Sequence, residues 1–131
     1  MIRLALPYPP SGNRYWRHCV IGGRPRVHVT HEARKYRDEV AKAVQAQVRD
    51  LLLSAKLPMP GRLAVRVVAH PPDRRRRDIA DNLFKVLGDA LEKAGVYEND
   101  SQIDDYHVTR GCVAKPGAVV VEITKAQEEA A

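Results

Sequence analysis

A small group of charged side chains in the second half of the chain has the types and spacing for metal-assisted chemistry. Asp78 and Asp81 are three residues apart, and Lys85 follows Asp81 by four. A third carboxylate, Asp100, comes soon afterwards. Carboxylates gathered in one place repel unless a cation neutralises them, and Mg²⁺ prefers such oxygen ligands. In phosphodiester hydrolysis, bound Mg²⁺ can activate a water molecule and stabilise the leaving oxygen. A lysine near the metal can hold the phosphate or neutralise its charge in the transition state.

Residues 79–94 are predicted to form a helix with two distinct faces. At about 100° per residue, Asp81, Lys85 and Asp89 fall on one stripe. The apolar residues on the other side, which we expect to face the core, are Leu83, Val86, Leu87, Ala90, Leu91 and Ala94. A solvated face with Asp81–Lys85 and Lys85–Asp89 ion pairs, each worth about 0.2–0.5 kcal/mol, is the alternative to a metal site. The helix pattern leaves both interpretations open.

Four consecutive arginines, Arg74, Arg75, Arg76 and Arg77, directly precede Asp78. Arginine binds phosphate oxygens strongly and with defined geometry. Four neighbours in an extended loop cannot all point the same way, so we expect two or three of them to contact DNA phosphates at one time. A solvated charge run is the alternative, and a neighbouring metal site makes it less favoured.

A second basic segment, residues 9–18, combines a rigid turn with cations and aromatic rings. The candidate DNA contacts in it are Asn13, Arg14, Tyr15 and Arg17. Aromatic rings can stack on unpaired bases while arginines bind the backbone. Alternatively, at least one of the two adjacent rings is simply a core residue, because neighbours on a strand point to opposite sides.

The charge distribution favours an anionic partner. The net charge is +6, but residues 1–77 carry 17 Lys and Arg against 5 Asp and Glu, whereas residues 78–131 carry 5 against 11. Such polarity indicates a polyanion as the partner of the basic part, with an inert basic surface as the alternative. An anionic membrane surface is disfavoured because the cations do not line one face of an amphipathic helix.

The sequence also bears on the location of the protein in the cell and on whether it binds zinc. No stretch approaches the roughly 20 apolar residues that cross a bilayer, and the start of the chain lacks a signal-peptide pattern. Cys19 and Cys112 are far apart and the histidines are scattered. We therefore expect reduced cysteines in a cytoplasmic protein and no zinc site.

The predicted elements form one α+β domain over residues 1–131, with a curved mixed β-sheet, two main α-helices and a frayed tail from about residue 126. Apolar alternation and turn residues predict strands near residues 2–6, 15–20, 26–29, 63–69, 103–110 and 118–124. The helices are predicted over 30–53, with Thr30 as the N-cap, and over 79–94, with Gly95 as the stop.

Short motifs recur in a fixed order over most of the chain. They are Leu6-Pro7-Tyr8-Pro9-Pro10-Ser11, Asn13-Arg14-Tyr15, Tyr36-Arg37-Asp38, Pro72-Asp73-Arg74-Arg75-Arg76-Arg77-Asp78, Asp81-Asn82-Leu83 with Lys85, Asp89-Ala90-Leu91, Lys93-Ala94-Gly95 and Asn99-Asp100-Ser101-Gln102. Each motif alone is weakly specific. In this order and spacing they resemble the RusA family of Holliday junction resolvases, small endonucleases common in phages and prophages.

The resemblance implies a RusA-like fold with a catalytic, metal-binding set of aspartates, Asp78, Asp81 and Asp100, and a catalytic lysine, Lys85. It also implies a homodimer that uses Mg²⁺ or Mn²⁺ to make paired, symmetric nicks in a four-way DNA junction. A dimer makes physical sense, because one subunit offers one acidic cluster and the junction is cut twice.

One departure from the family concerns Asp78. The family usually has Asp-x-Asp-Asn, whereas this chain has Asp78-Ile79-Ala80-Asp81-Asn82. Either the loop bulges at residues 79–80 and keeps both carboxylates on the metal, or Asp78 has left the site. Helical i, i+3 spacing favours the bulge. The other three site residues keep the family's spacing.

Two further functions stay open on the sequence. One is a non-catalytic junction- or nucleic-acid-binding protein that retains the fold, and the other is a sequence-selective duplex nuclease of restriction type. The basic first half of the chain suits all three functions, so only the family resemblance favours the four-way junction as substrate.

Overall fold

The structure, a computed structural model, describes residues 1–50, 57–79 and 81–126, and the side chains of all of these except Asp50 and Asp81. The strands are Ile2–Pro7 (β1), Trp16–Ile21 (β2), Arg24–Val29 (β3), Leu63–His70 (β4), Ile103–Arg110 (β5) and Ala118–Lys125 (β6). The helices are Gly12–Tyr15 (α1), His31–Asp50 (α2), a π-helix at Asp81–Val86, Leu87–Lys93 (α3) and a 3₁₀-helix at Asp100–Gln102. No helix in the described ranges is long and apolar enough to cross a membrane.

Four strands form one mixed sheet in the order β1-β6-β4-β5, which confirms the predicted α+β class. β6 is antiparallel to β1 and β4, whereas β4 and β5 are parallel. Parallel neighbours need a crossover connection, and the π-helix and α3 lie in that connection. The sheet therefore positions both ends of the segment on which the predicted chemistry depends.

One face of the sheet is buried under the helices. Every second residue is buried on β1 from Ile2 to Leu6, on β4 from Leu63 to Ala69 and on β6 from Val119 to Ile123. The helical residues in the same core are Ala33, Tyr36, Val40 and Val44 of α2, together with Leu83, Val86, Leu87, Ala90 and Leu91 of the crossover. The apolar side predicted for the crossover helix is thus confirmed as its core side.

Helix α2 begins where the sequence predicts. The Thr30 hydroxyl accepts a hydrogen bond from the backbone N–H of Ala33 at 3.2 Å and donates to the carbonyl oxygen of Arg14. The same residue thus caps α2 and ties it to α1. The predicted end of this helix, at residues 51–53, and residues 127–131 of the predicted tail lie outside the described residues.

The crossover helix differs from the prediction in its geometry. The sequence predicts a regular α-helix over 79–94, but its first part, Asp81–Val86, is a π-helix that continues into α3. A π-helix has i→i+5 hydrogen bonds and a wider turn, so a spacing of 100° per residue does not apply there. The side chain of Asp81 is outside the described set, so its place on one stripe with Lys85 and Asp89 stays a prediction. Gly95, with φ of 82°, ends the helix as predicted.

β2 and β3 form a separate two-stranded hairpin. Its turn contains Gly22 and Gly23, both at positive φ, which confirms the predicted turn. The first strand begins at Trp16, since Tyr15 belongs to α1.

Candidate active site

A groove of about 540 Å³ lies between the N-terminal loop and the arginine run. The lining residues important for its chemistry are Tyr8, Pro9 and Arg14 on the N-terminal side and Arg75, Arg76, Arg77, Asp78 and Asn82 on the other. The two basic segments that the sequence predicts separately therefore meet in one groove. Asp78, the first of the predicted metal ligands, lies in its wall.

The four arginines of the run are not equivalent. The first three are exposed, whereas the side chain of Arg77 is only 25% exposed. Arg77 Nη1 donates to Asp73 Oδ1 at 2.6 Å, and its guanidinium lies 5.9 Å from the centre of the Tyr8 ring. Arg77 is thus fixed in the groove wall. The exposure of the other three suits the prediction that two or three arginines contact DNA, which stays a prediction.

Asp73 holds the arginine loop in shape. Besides the bond from Arg77, it accepts a hydrogen bond from the backbone N–H of Arg75 at 2.9 Å. These two bonds lower the pKa of Asp73 from 3.8 to about 2. Because the folded-state pKa is the lower one, the contribution to stability is complete above pH of about 4 and is lost as the pH falls through about 2. The loop therefore keeps this anchor at every pH at which DNA is stable.

Asn82 joins the crossover helix to the N-terminal loop. It directly follows Asp81 in the π-helix, is buried, and donates from Nδ2 to the carbonyl oxygen of Pro9 at 2.8 Å. Pro9 is itself in the groove wall. This bond therefore fixes the two sides of the groove relative to each other.

We expect Asn82→Ala to lower the free energy of unfolding by about 1–2 kcal/mol, because the buried Pro9 carbonyl loses its hydrogen-bond donor. Urea unfolding at neutral pH measures the change. Asn13→Ala, at an exposed asparagine, is the control and should cost less than about 0.5 kcal/mol. Equal losses in the two variants would contradict the structural role of Asn82.

Tyr15, Arg37 and Asp89 form a network that the sequence reasoning missed. The Tyr15 hydroxyl donates to Asp89 Oδ2, and Arg37 Nη2 donates to the same oxygen at 2.7 Å. Arg37 Nε also donates to the Tyr15 hydroxyl oxygen at 2.8 Å. Burial and the Asp89 carboxylate raise the pKa of Tyr15, so its hydroxyl keeps the proton that it donates. The network connects α1, α2 and α3.

This network corrects two predictions. Tyr15 is fully buried, so its ring cannot stack on DNA bases and the core interpretation is the right one. Asp89 contacts Arg37 on α2 and does not continue an exposed stripe from Lys85. The only signal in the sequence was that Arg37 and Asp89 each lie in a family motif to which no chemistry was assigned.

The remaining predicted DNA contacts of the N-terminal segment are compatible with their role. Asn13, Arg14 and Arg17 are exposed, and Arg14 lines the groove. Trp16 is half-buried, with its ring 4.6 Å from that of Tyr15 in an edge-on arrangement. DNA contact by Asn13, Arg14 and Arg17 is compatible with their exposure and stays a prediction.

Asp100 is exposed at the start of the 3₁₀-helix that leads into β5. A capping box forms this turn: Asn99 Oδ1 accepts from the backbone N–H of Ser101 at 2.8 Å, and Gln102 Oε1 accepts from that of Asn99 at 3.1 Å. The backbone N–H of Asp100 donates to Glu92 Oε1 of α3 at 3.1 Å. The carboxylate of Asp100 is thus carried by a turn attached to the crossover helix.

The predicted metal ligands can be compared with the structure only in part. Among the side chains that the structure describes, no three His, Cys, Asp or Glu residues lie close enough together to hold a metal ion. Asp81 is outside that set, so the combination of Asp78, Asp81 and Asp100 stays a prediction. Asp78 and Asp100 are both exposed carboxylates, and an all-carboxylate donor set open to water fits Mg²⁺.

Two further predictions concern Lys85 and the extra residue before Asp81. Lys85 is exposed in the last turn of the π-helix, and its catalytic role stays a prediction. The proposed bulge at residues 79–80 lies partly outside the described residues. The structure shows an irregular helix directly after the extra residue, where a regular α-helix was expected.

Comparison with known proteins agrees with the motifs. The family described as Endodeoxyribonuclease RusA matches residues 7–124. Two proteins called Crossover junction endodeoxyribonuclease RusA, from Escherichia coli O1:K1 / APEC and from Escherichia coli strain K12, are each 43% identical to the chain over 126 residues, which is 96% of both chains. The protein of the same name from Enterobacteria phage 82 is 42% identical over the same share.

Proposed function

The chain belongs to the RusA family of endodeoxyribonucleases, and we propose that it resolves four-way (Holliday) DNA junctions by paired, symmetric, magnesium-dependent nicks. The observation that carries the proposal is the groove, which combines arginines from two distant segments with Asp78 and leads to the helix of Asp81 and Lys85. A phosphate backbone bound by the arginines therefore lies beside the proposed hydrolytic residues.

The basic walls of the groove bind the DNA backbone. Arg75 and Arg76 line the groove and, like the neighbouring Arg74, are exposed and can turn to phosphates, while Arg77 is fixed by Asp73. Arg14 adds a cation from the opposite wall. Such contacts position DNA without reading its sequence, which suits an enzyme that selects its substrate by shape.

We assign the metal to the carboxylates of Asp81 and Asp100, with Asp78 as the third ligand, and we expect Mn²⁺ to substitute for Mg²⁺. Bound there, the metal would supply an activated water and stabilise the leaving oxygen. Lys85 neutralises charge on the phosphate as it is cut. The hydrogen bond from the Asp100 N–H to Glu92 of α3 keeps the Asp100 carboxylate attached to the helix that carries Asp81 and Lys85.

The proposed enzyme is a homodimer that acts on nucleoid DNA in the cytoplasm. Each subunit has one such groove, and symmetric nicks need two hydrolytic sites related by a two-fold axis. A four-way junction offers two equivalent strands in that arrangement. The ends left by symmetric nicks can be joined by a ligase.

A cleavage gel that compares a synthetic four-way junction with a linear duplex of matched sequence tests this function. We expect symmetric nicks in opposite strands of the junction, in Mg²⁺ and in Mn²⁺, and little cutting of the duplex. Comparable cutting of both substrates would indicate a duplex nuclease of restriction type. Junction binding without a nick in either metal would indicate a non-catalytic binding protein.

A further inference from the structure

The β2–β3 hairpin has two chemically different faces. Residues that pair directly across its strands share a face. One face contains Trp16, His18, Val20, Pro25, Val27 and Val29, and the other contains Arg17, Cys19, Ile21, Arg24, Arg26 and His28. One face is therefore mainly apolar and the other mainly basic.

The base of the hairpin determines which way the faces are turned. Trp16 and Val29 pack against the core, and the Thr30 N–H donates to the carbonyl oxygen of Tyr15 at 3.0 Å. The apolar face is thus directed toward the protein at the base, and the basic face is directed away from it. Each strand has six residues, so the hairpin extends about 20 Å from its base.

The arginines of the outward basic face differ from several other arginines of the chain, which form ion pairs with carboxylates. Arg17, Arg24 and Arg26 are exposed, and among the described side chains none of them has a carboxylate within 4.0 Å. By contrast, Arg37 and Arg62 each contact an aspartate. The first acidic residue of the sequence comes only after the hairpin, at position 32. Like charges held on one face favour a polyanionic partner.

We propose that this basic face binds the phosphate backbone of a second junction arm, separate from the DNA in the groove. The inference rests on the proposed function, because only a branched substrate has a second arm nearby. The hairpin starts two residues after Arg14, which lines the groove, so the two surfaces adjoin. A reach of about 20 Å from that point brings Arg24 and Arg26 to DNA that the groove does not hold.

A second copy of the chain is the alternative binding partner of the hairpin. Val20 and Val27, on the apolar face, are 72% and 58% exposed, and another subunit would bury them favourably. That contact involves the opposite face and leaves the three arginines unexplained. The charge therefore favours DNA as the partner of the basic face.

The double variant Arg24→Gln/Arg26→Gln tests the proposal, and Arg3→Gln/Arg66→Gln removes the same charge from exposed positions on the sheet as the control. Fluorescence anisotropy measures binding to a four-way junction and to a linear duplex, without divalent metal, from about 50 to about 200 mM KCl. We expect the hairpin variant to bind the junction about tenfold more weakly and to lower the salt slope by about 2. Its duplex affinity should change by less than about threefold, because the groove alone holds a duplex.

Equal junction affinities of the two double variants would overturn the proposal. So would an unchanged Arg24→Gln/Arg26→Gln protein together with a Val20→Ser/Val27→Ser protein of lower mass in solution, since the hairpin would then join two copies. Binding is measured without cutting, so a failure to nick junctions would count against the proposed function and not against this surface. Circular dichroism checks that all variants are folded.

Discussion

Asp81→Asn is expected to abolish nicking of a four-way junction in Mg²⁺ while junction affinity stays within about twofold of the wild type. The substitution keeps the shape of the side chain but removes the charge that we assign to metal binding. Loss of one group that stabilises transition-state charge costs roughly 10²–10³-fold in rate, and loss of the metal site should cost at least as much. Binding should persist because it depends on the arginines of the groove.

Single-turnover nicking with enzyme in excess measures this effect, with anisotropy for binding. Asp105→Asn is the control, because Asp105 is an exposed carboxylate on β5 that pairs with His107, outside the groove. The control should nick within about twofold of the wild-type rate. An Asp81→Asn protein that keeps more than about a tenth of the wild-type rate would remove Asp81 from the proposed metal site.

The second large effect concerns stability. Asp89→Asn should lower the free energy of unfolding by about 2–3 kcal/mol, because it leaves the Arg37 guanidinium and the Tyr15 hydroxyl without the charged acceptor that they share. Breaking a buried ion pair costs about 3–5 kcal/mol. The value here is smaller because the two charged side chains are 23% and 22% exposed. Urea unfolding at neutral pH measures it.

A double-mutant cycle separates the network from its parts. Arg37→Met removes the cation and keeps much of the packing volume, and the double variant Arg37→Met/Asp89→Asn should cost less than the sum of the single variants by about 1 kcal/mol or more. Additive costs would show that Arg37 and Asp89 do not act together. The network also connects α1, which carries Arg14, to the crossover helix, so we expect its loss to loosen the groove.

Local signals account for what could be predicted of the fold. The alternation of Ile2, Leu4 and Leu6, the Gly22-Gly23 turn and the Thr30 cap each depend on a few neighbouring residues. Such features have a period or a residue preference that a single sequence displays. The structure accordingly has these elements close to their predicted positions.

The candidate site was harder to predict because its contacts are distant in the sequence. The groove brings Tyr8, Pro9 and Arg14 against residues 75–78 and Asn82, with a hydrogen bond from Asn82 to Pro9. No local sequence pattern predicts that pairing. The π-helix at the start of the crossover was not predicted because the apolar pattern of residues 83–94 is also compatible with a regular α-helix. The partners of Asp89 were not predicted because Arg37 and Tyr15 are distant from it in the sequence. The prediction that Tyr15 contacts DNA was wrong because an aromatic ring beside arginines is compatible with both a DNA-binding surface and a buried core, and Tyr15 is buried.

Binding of Mn²⁺ tests the proposed metal site most directly. Electron paramagnetic resonance of the free ion gives the affinity of the wild type, of Asp100→Asn and of the Asp105→Asn control, without DNA and without catalysis. We predict saturable binding by the wild type and the control, and at least about tenfold weaker binding by Asp100→Asn, since it loses a charged oxygen ligand. Equal Mn²⁺ affinity in all three proteins would contradict the assignment of Asp100 to the metal.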